Sequence, residues 1–174
     1  PEILDKPGKL TKEEYDLVKK HTVYGYELLK DQKGLHPRIA LAALQHHERE
    51  DGKGYPLGIT KEKIDYFSSI VAVADIFHAM SSKRPYHDPV PFYEIIAQMK
   101  AGQFGKLNPH IVSVFIQNIT NKIIGQQVVL TDDSVGVVVY RNPHDEEHPL
   151  VQVDGRFIDL TRERDIQIKE IIIS

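Results

Sequence analysis

Cysteine is absent from this 174-residue chain, and that gap removes disulfides, thiolate zinc sites and cysteine nucleophiles together. The absence fits a reducing compartment. No apolar run approaches the ~18–20 residues needed to cross a bilayer, and no signal peptide stands at the start. A basic excess is missing too. The formal net charge is −3 and no Lys/Arg block supplies a local patch, which argues against a nucleic-acid polymer as partner. Internal repeats and low-complexity segments are lacking. What is present is 41% hydrophobic residues, enough for a packed core in one domain or a domain plus a small module.

The sequence predicts helices first and strands later. Thr11-Lys12-Glu13-Glu14 reads as a capping box that opens a helix running to about Lys30, with Tyr15, Val18, Tyr24 and Leu28 as its apolar stripe and His21 close by. Pro37 suits the first turn of a second helix, which ends at His46 and His47. Residues 50–66 are mostly loop, with a short helical turn from Thr60 to Ile64. A third helix spans Tyr66 to Ser82, and shorter ones follow over Pro91–Lys100 and Pro109–Asn118. Near Ile124 the composition changes. Five β-like runs follow: Gln127–Leu130, Val135–Tyr140, Leu150–Val153, Phe157–Leu160 and Ile166–Ile172, with Asp132-Asp133-Ser134 and Asp154-Gly155 as hairpin turns. The expectation is a mainly α, helical-bundle domain over 1–122 and a small all-β module, an antiparallel barrel or meander, over 123–174 that packs on the helical part.

The stretch from Gln45 to Pro56 is not core material. Two adjacent histidines end an Ala-rich helix, and a charged, glycine-punctuated loop follows at once. Histidine is costly to bury unpaired. Asp75, inside the apolar run Val71-Ala72-Val73-Ala74-Asp75-Ile76-Phe77, also needs a partner, and His78 stands one turn on. His21, His46, His47 and Asp75 thus lie on three separate helices as candidate metal ligands. An N/O donor set without thiolate favours Fe, Mn, Zn or Ni, and histidines with a bridging carboxylate suit a two-metal site for in-line attack on phosphorus. Any one of them alone reads more simply as a surface or satisfied core residue. Lys53 and Arg84, with Tyr55 and Tyr86, are the best anion-plus-aromatic set in the chain. Glu48 and Asp51 read equally well as groups that orient the imidazoles and as solvated charges or loop caps. His36, His110, His144 and His148 read as surface residues.

Taken together, His46-His47-Glu48-x-x-Asp51-Gly52-x-Gly54-Tyr55-Pro56 resembles the signature of HD-GYP phosphodiesterases, bacterial enzymes of the HD phosphohydrolase superfamily that hydrolyse cyclic di-GMP. The surroundings match in order and spacing: Ile3-Leu4-x-Lys6-Pro7-Gly8-Lys9-Leu10-Thr11, then Lys20-His21 with Gly25, then Ala74-Asp75, then Arg84-Pro85-Tyr86. The likeness covers roughly residues 1–115 and leaves the β-rich tail outside the catalytic core. It implies a helical bundle holding two or three divalent ions, iron or manganese. His21, His46, His47 and Asp75 fall on metal-ligand positions. The Gly54-Tyr55-Pro56 loop shapes the substrate side and Arg84 falls on a phosphate-contact position; Lys53 and Tyr86 join them as the anion-plus-aromatic set, and Glu48, Asp51 and His78 are candidates to orient the ligands. The implied product is pGpG or GMP, and the implied nucleophile is a hydroxide held between the metals, with no catalytic side chain. Partners implied are cyclic di-GMP and diguanylate cyclase or sensor domains, in the cytoplasm, with a homodimer left open. The sequence departs from the pattern twice. The superfamily's His-Asp doublet, which supplies a ligand and a bridging carboxylate, is expected upstream of Pro1, so the isolated chain is expected to be inactive. His78 stands where the family has a second Asp, and His87 where a basic residue is usual. The alternative reading is a catalytically degenerate domain that binds cyclic di-GMP or pairs with a protein partner.

Overall fold

A computed structural model describes residues 3, 6, 8–82, 90–142 and 145–172. The expected site residues Arg84 and Tyr86, with Pro85 and His87, lie outside the described residues. The order of elements is α1 (Lys12–Lys19), α2 (His21–Leu29), α3 (Pro37–Gln45), a single 3-10 turn (Lys61–Lys63), α4 (Tyr66–Ser81), α5 (Phe92–Lys100) and α6 (Pro109–Lys122). Five strands follow: β1 (Gln127–Leu130), β2 (Val135–Asn142), β3 (Asp145–Val153), β4 (Arg156–Asp159) and β5 (Ile168–Ile172). None of the described helices is long and apolar enough to cross a membrane. The chain divides into two compact units, Pro1–Pro89 with Gly102–Val112, and Val90–Ala101 with Ser113–Ser174.

In the first unit, α1 packs on α2, α2 on α3 and α3 on α4. The capping box at Thr11 is formed: the Thr11 hydroxyl accepts from the Glu14 amide at 3.2 Å and the Glu14 carboxylate from the Thr11 amide at 2.7 Å. The expected single helix from Thr11 to Lys30 is two. At the break the Lys20 amide turns back to Leu17 and Val18, and the buried Thr22 hydroxyl donates to the Lys19 carbonyl at 2.9 Å, offering the backbone an alternative to helical bonding. The stripe expected to be buried is largely at the surface: Tyr15, Tyr24 and Leu28 are all exposed. Burial centres instead on Thr22, Ala40, Gln45, Ala72, Val73 and Ile76. Gln45 ties two helices together. Its side-chain oxygen accepts from the Asp65 amide at 2.8 Å, while Asp65 caps α4 by accepting from Phe67.

In the second unit the sheet is antiparallel throughout, in the order β4-β3-β2-β1-β5. It is a four-strand meander whose fifth strand returns beside the first. Helix α5 packs against β3 and β5. The larger core lies here, around Ile95, Ile96, Met99, Ile116, Val128, Leu130, Val138, Val151, Leu160 and Ile168. The turns fall where the sequence places them, with Asp133, Asp154 and Gly155 at positive φ. Strand β3 starts earlier than expected because Asp145 pairs with Asn142 at the end of β2, which absorbs the mismatch in register shifts between Val138 and Asn142; Pro149, which cannot donate, accepts from Leu160 through its carbonyl. His148 lies 2.7 Å from Asp145 and is half-buried rather than at the surface.

Candidate metal centre

The site is assembled by α2, the end of α3 and the loop after it. Gly25 makes the approach of α2 to α3 feasible, because a Cβ there would stand only 3.3 Å from the Ala43 Cβ. That contact brings His21, the first residue of α2, onto His46, the C-cap of α3. The ring centroids are 5.2 Å apart for His21–His46, 5.0 Å for His21–His47 and 4.2 Å for His46–His47. Each ring offers a nitrogen, and the three nitrogens lie within 4.8 Å of one another.

Two of these nitrogens face each other. His21 Nδ1 lies 2.7 Å from the Val18 carbonyl and His46 Nδ1 lies 3.0 Å from the Ala42 carbonyl. A carbonyl only accepts, so each Nδ1 carries the proton, and each Nε2 of a neutral ring presents a bare lone pair. Those two Nε2 atoms are 3.1 Å apart. Opposed lone pairs at that distance repel unless a cation lies between them. A shared proton is opposed by burial, which lowers the His46 pKa, with the nearby His21 adding to the effect. Two imidazole nitrogens each about 2.1 Å from one ion stand about 3 Å apart when they meet it at a right angle. Backbone carbonyls behind both rings also fix tautomer and orientation, as in many metal sites. The donor set therefore fits a metal ion.

His47 completes the group. Burial first, then His46, His21 and Arg49, push its pKa down from 6.5 to about 3, so it is neutral near pH 7 and available as a ligand. Asp75, on α4, lies with Oδ2 4.0 Å from His47 Nδ1 and is 39% exposed, so its carboxylate borders the cluster while open to solvent. His78, one turn on, is exposed.

The loop after the histidines is organised by Glu48. Its carboxylate is buried (3% exposed) and accepts from the amides of Leu57 (2.6 Å), Gly58 (3.2 Å) and Ile59 (3.2 Å). The structure therefore shows Glu48 capping the loop. Asp51 accepts from the Lys53 amide at 3.2 Å and forms a backbone bridge with Thr60, which closes the loop at its base. Gly54 is pressed onto the backbone of the motif itself. A Cβ there would fall 2.4 Å from Glu48 Cα and 2.5 Å from the Arg49 nitrogen, an approach that only glycine permits. The Tyr55 ring then stacks on His47, with centroids 4.6 Å apart and planes 25° apart, and the Tyr55–Pro56 bond is cis. Burial holds the Tyr55 hydroxyl well above its ordinary pKa, so it stays protonated as a donor. Lys53 is exposed and Pro56 is half-buried.

Two contributors escape a reading of the sequence. Tyr15 of α1 meets Tyr55 edge-on at 6.3 Å, with Lys19 Nζ 5.1 Å from the Tyr15 ring centre. Arg49 bonds a turn 55 positions later in the chain. Only the i, i+4 spacing of Tyr15 and Lys19 hints at the first, and nothing local signals the second.

The model of the HD domain family matches residues 1–111. The chain belongs to that family. Curated relatives of this HD domain include a cyclic di-GMP phosphodiesterase of Thermotoga maritima, 41% identical over 118 residues, or 66% of this chain and 32% of that protein. A cyclic di-GMP phosphodiesterase of Pseudomonas aeruginosa is 34% identical over 151 residues, 87% of this chain and 36% of that one. A 3'3'-cGAMP-specific phosphodiesterase of Vibrio cholerae is 35% identical over 117 residues, covering 67% and 22% respectively. The chain thus spans about a third of the length of the first two relatives. Among solved structures, Bd1817, an HDG"Y"P protein of Bdellovibrio bacteriovorus, shares the fold with a TM-score of 0.54 at 20% identity, over 67% of this chain and 37% of that one.

Proposed function

We propose that this chain is the metal-ligating part of an HD-GYP-type phosphodiesterase domain that, in the whole protein, hydrolyses cyclic di-GMP to pGpG or GMP in the cytoplasm. The observation that carries the reading is the opposed pair of Nε2 lone pairs on His21 and His46, with neutral His47 beside them. The activities of the relatives supply the substrate class, a cyclic dinucleotide.

In this reading His21, His46, His47 and Asp75 hold divalent ions, iron or manganese. Four side chains do not saturate two six-coordinate ions, so further ligands complete the centre. Ions held there would supply positive charge beside the scissile phosphate and lower the pKa of bound water. The chain's own residues do the rest. Val18 and Ala42 hold the ring tautomers through their carbonyls. Glu48 and Gly54 set the Tyr55-Pro56 wall against His47, which limits water on that side, and the Tyr55 hydroxyl donates toward substrate oxygen. Lys53, Arg84 and Tyr86 take the phosphates and base edges.

The helical-bundle reading draws support from α4. Its buried stripe is Ser68, Ala72, Val73 and Ile76, and a second stripe, Phe67, Ile70, Val71 and Ala74, is exposed at helical spacing. A helix apolar on both sides suits cover on both. The proposal is tested by incubating the whole protein, loaded with Mn(II) or Fe(II), with cyclic di-GMP. Linear product that disappears in His46→Ala supports it. Tight binding of the dinucleotide without turnover by a protein that holds its metals establishes the degenerate binding module instead.

A further inference from the structure

The two unspecified positions inside the His47-Glu48-x-x-Asp51 pattern are Arg49 and Glu50, and both reach the same turn. Arg49 Nε donates to the Phe104 carbonyl at 2.9 Å, and the Glu50 amide donates to the Lys106 carbonyl at 2.8 Å. The other end of the Arg49 fork turns back onto α3. Nη1 donates to the Glu48 carbonyl at 2.8 Å and reaches the His46 carbonyl at 3.4 Å. The His46 carbonyl belongs to the C-cap of α3, where carbonyls lack intrahelical partners and carry the negative end of the helix dipole, and Glu48 follows two residues later. Gly105 makes room for the arginine stem: its φ is +83°, and a Cβ there would lie 3.2 Å from Arg49 Cδ and 3.3 Å from Cγ.

We propose that Arg49 is a positioning residue: its guanidinium clamps the turn of residues 102–106 behind the histidine-bearing end of α3 and so fixes where His46 and His47 point. A planar fork with donors in several directions is required, because three carbonyls on two segments are served at once. A lysine offers a point charge of the same sign and cannot bridge them in the same way. Phe104 and Lys106 are held by backbone atoms, so the clamp depends on the conformation of the turn and on the arginine, with little demand on side chains in the turn. His21 is outside this device, since its ring is fixed by Val18 on another helix. The inference rests on the reading of the histidines as metal ligands only for its consequence, tighter metal binding.

The test is carried out on Arg49→Lys and Arg49→Met, each confirmed folded by far-UV circular dichroism. The imidazole ¹⁵N and ¹H resonances of the metal-free protein read ring position directly, and calorimetric titration with Mn(II) reads affinity. The clamp predicts that both variants move the His46 and His47 resonances while those of His36, at the opposite end of α3, stay in place. It predicts at least a tenfold loss of Mn(II) affinity in Arg49→Met, with Arg49→Lys failing to restore it to within twofold. Unchanged His46 and His47 resonances in either folded variant overturn the proposal, as does recovery of parent affinity by lysine. Should Arg49→Met not fold, Arg49→Lys decides alone. A parent protein that takes up no Mn(II) sinks the metal reading, while the ring resonances still judge the clamp.

Discussion

Glu48 carries the heaviest duty of any single side chain near the histidines. One buried carboxylate serves three amides of the loop that follows Pro56. Its removal in Glu48→Ala leaves those part-buried amides without their acceptor. At about 1–3 kcal/mol for each such group, partly relieved by water entry, the loss of stability is about 3 kcal/mol. Chemical denaturation measures it, and a loss below about 1 kcal/mol contradicts the assigned role. At Gly54 the constraint is steric. Gly54→Ala puts a methyl within 2.4–2.5 Å of backbone atoms of His47, Glu48 and Arg49, so the loop must lift away. Tyr55 then leaves His47, and quenching of tyrosine fluorescence or the ring-current shift on His47 reports it.

The same histidine sets a pH dependence. In the unfolded chain His47 binds a proton near pH 6.5. In the folded, metal-free protein its pKa is about 3, and that of His46 is also lowered. The unfolded state therefore binds more protons below pH 6.5, and stability is lost as the pH falls from there toward 3. The carboxylates held below their usual range, Glu14, Asp16, Glu62, Asp132 and Asp159, add their own loss only below about pH 4.5. Between pH 7.5 and 5 the histidines are thus isolated. The urea midpoint of metal-free protein falls across that window, and His47→Gln flattens the fall. An equal slope in the variant contradicts the assignment.

At the scale of elements, the α2–α3 contact decides whether His21 and His46 meet. Gly25→Val adds bulk at a position where even a single Cβ would stand 3.3 Å from that of Ala43, so the helices separate by a few tenths of an ångström or more. The variant stays helical by circular dichroism and loses at least tenfold in Mn(II) affinity; retention of parent affinity shows that the approach is not needed. This contact also marks the limit of what sequence reveals. The capping box at Thr11, Pro37 at the head of α3, and the Asp133 and Asp154-Gly155 turns are local chemistry, and they place the starts of α1 and α3 and the two hairpin turns. The adjacent histidines before a Gly-rich loop are legible for the same reason. The break at Lys20 is not, because it depends on one hydroxyl of a residue buried by tertiary contacts. Nor is the bond from Arg49 to Phe104, since the partner is a backbone carbonyl 55 positions away and carries no side-chain signature. The exposure of Tyr15 and Leu28 runs against their apolar spacing, because periodicity names a face without naming what covers it.

At the scale of the molecule, the chain pairs a thinly cored helical unit that carries the histidines with a well-packed unit of sheet and helix. Among the described residues with large, fully buried side chains, only Val73 and Thr22 belong to the first unit. Under the proposed ligation, which ties α2 to α3, metal matters more to the helical unit than to the sheet. Binding to the folded state alone stabilises it by mass action, by about 2.7 kcal/mol at a hundredfold excess over Kd. Removal of metal with a chelator is expected to raise amide exchange in residues 21–60 and leave β1–β5 unchanged. Whether these histidines serve hydrolysis is decided by chromatographic product analysis of cyclic di-GMP incubated with the Mn(II)-loaded whole protein beside its His46→Ala variant. The parent is expected to release pGpG or GMP and the variant at least a hundredfold less. Equal turnover in the two, or none in a parent that holds its metals, would contradict that role.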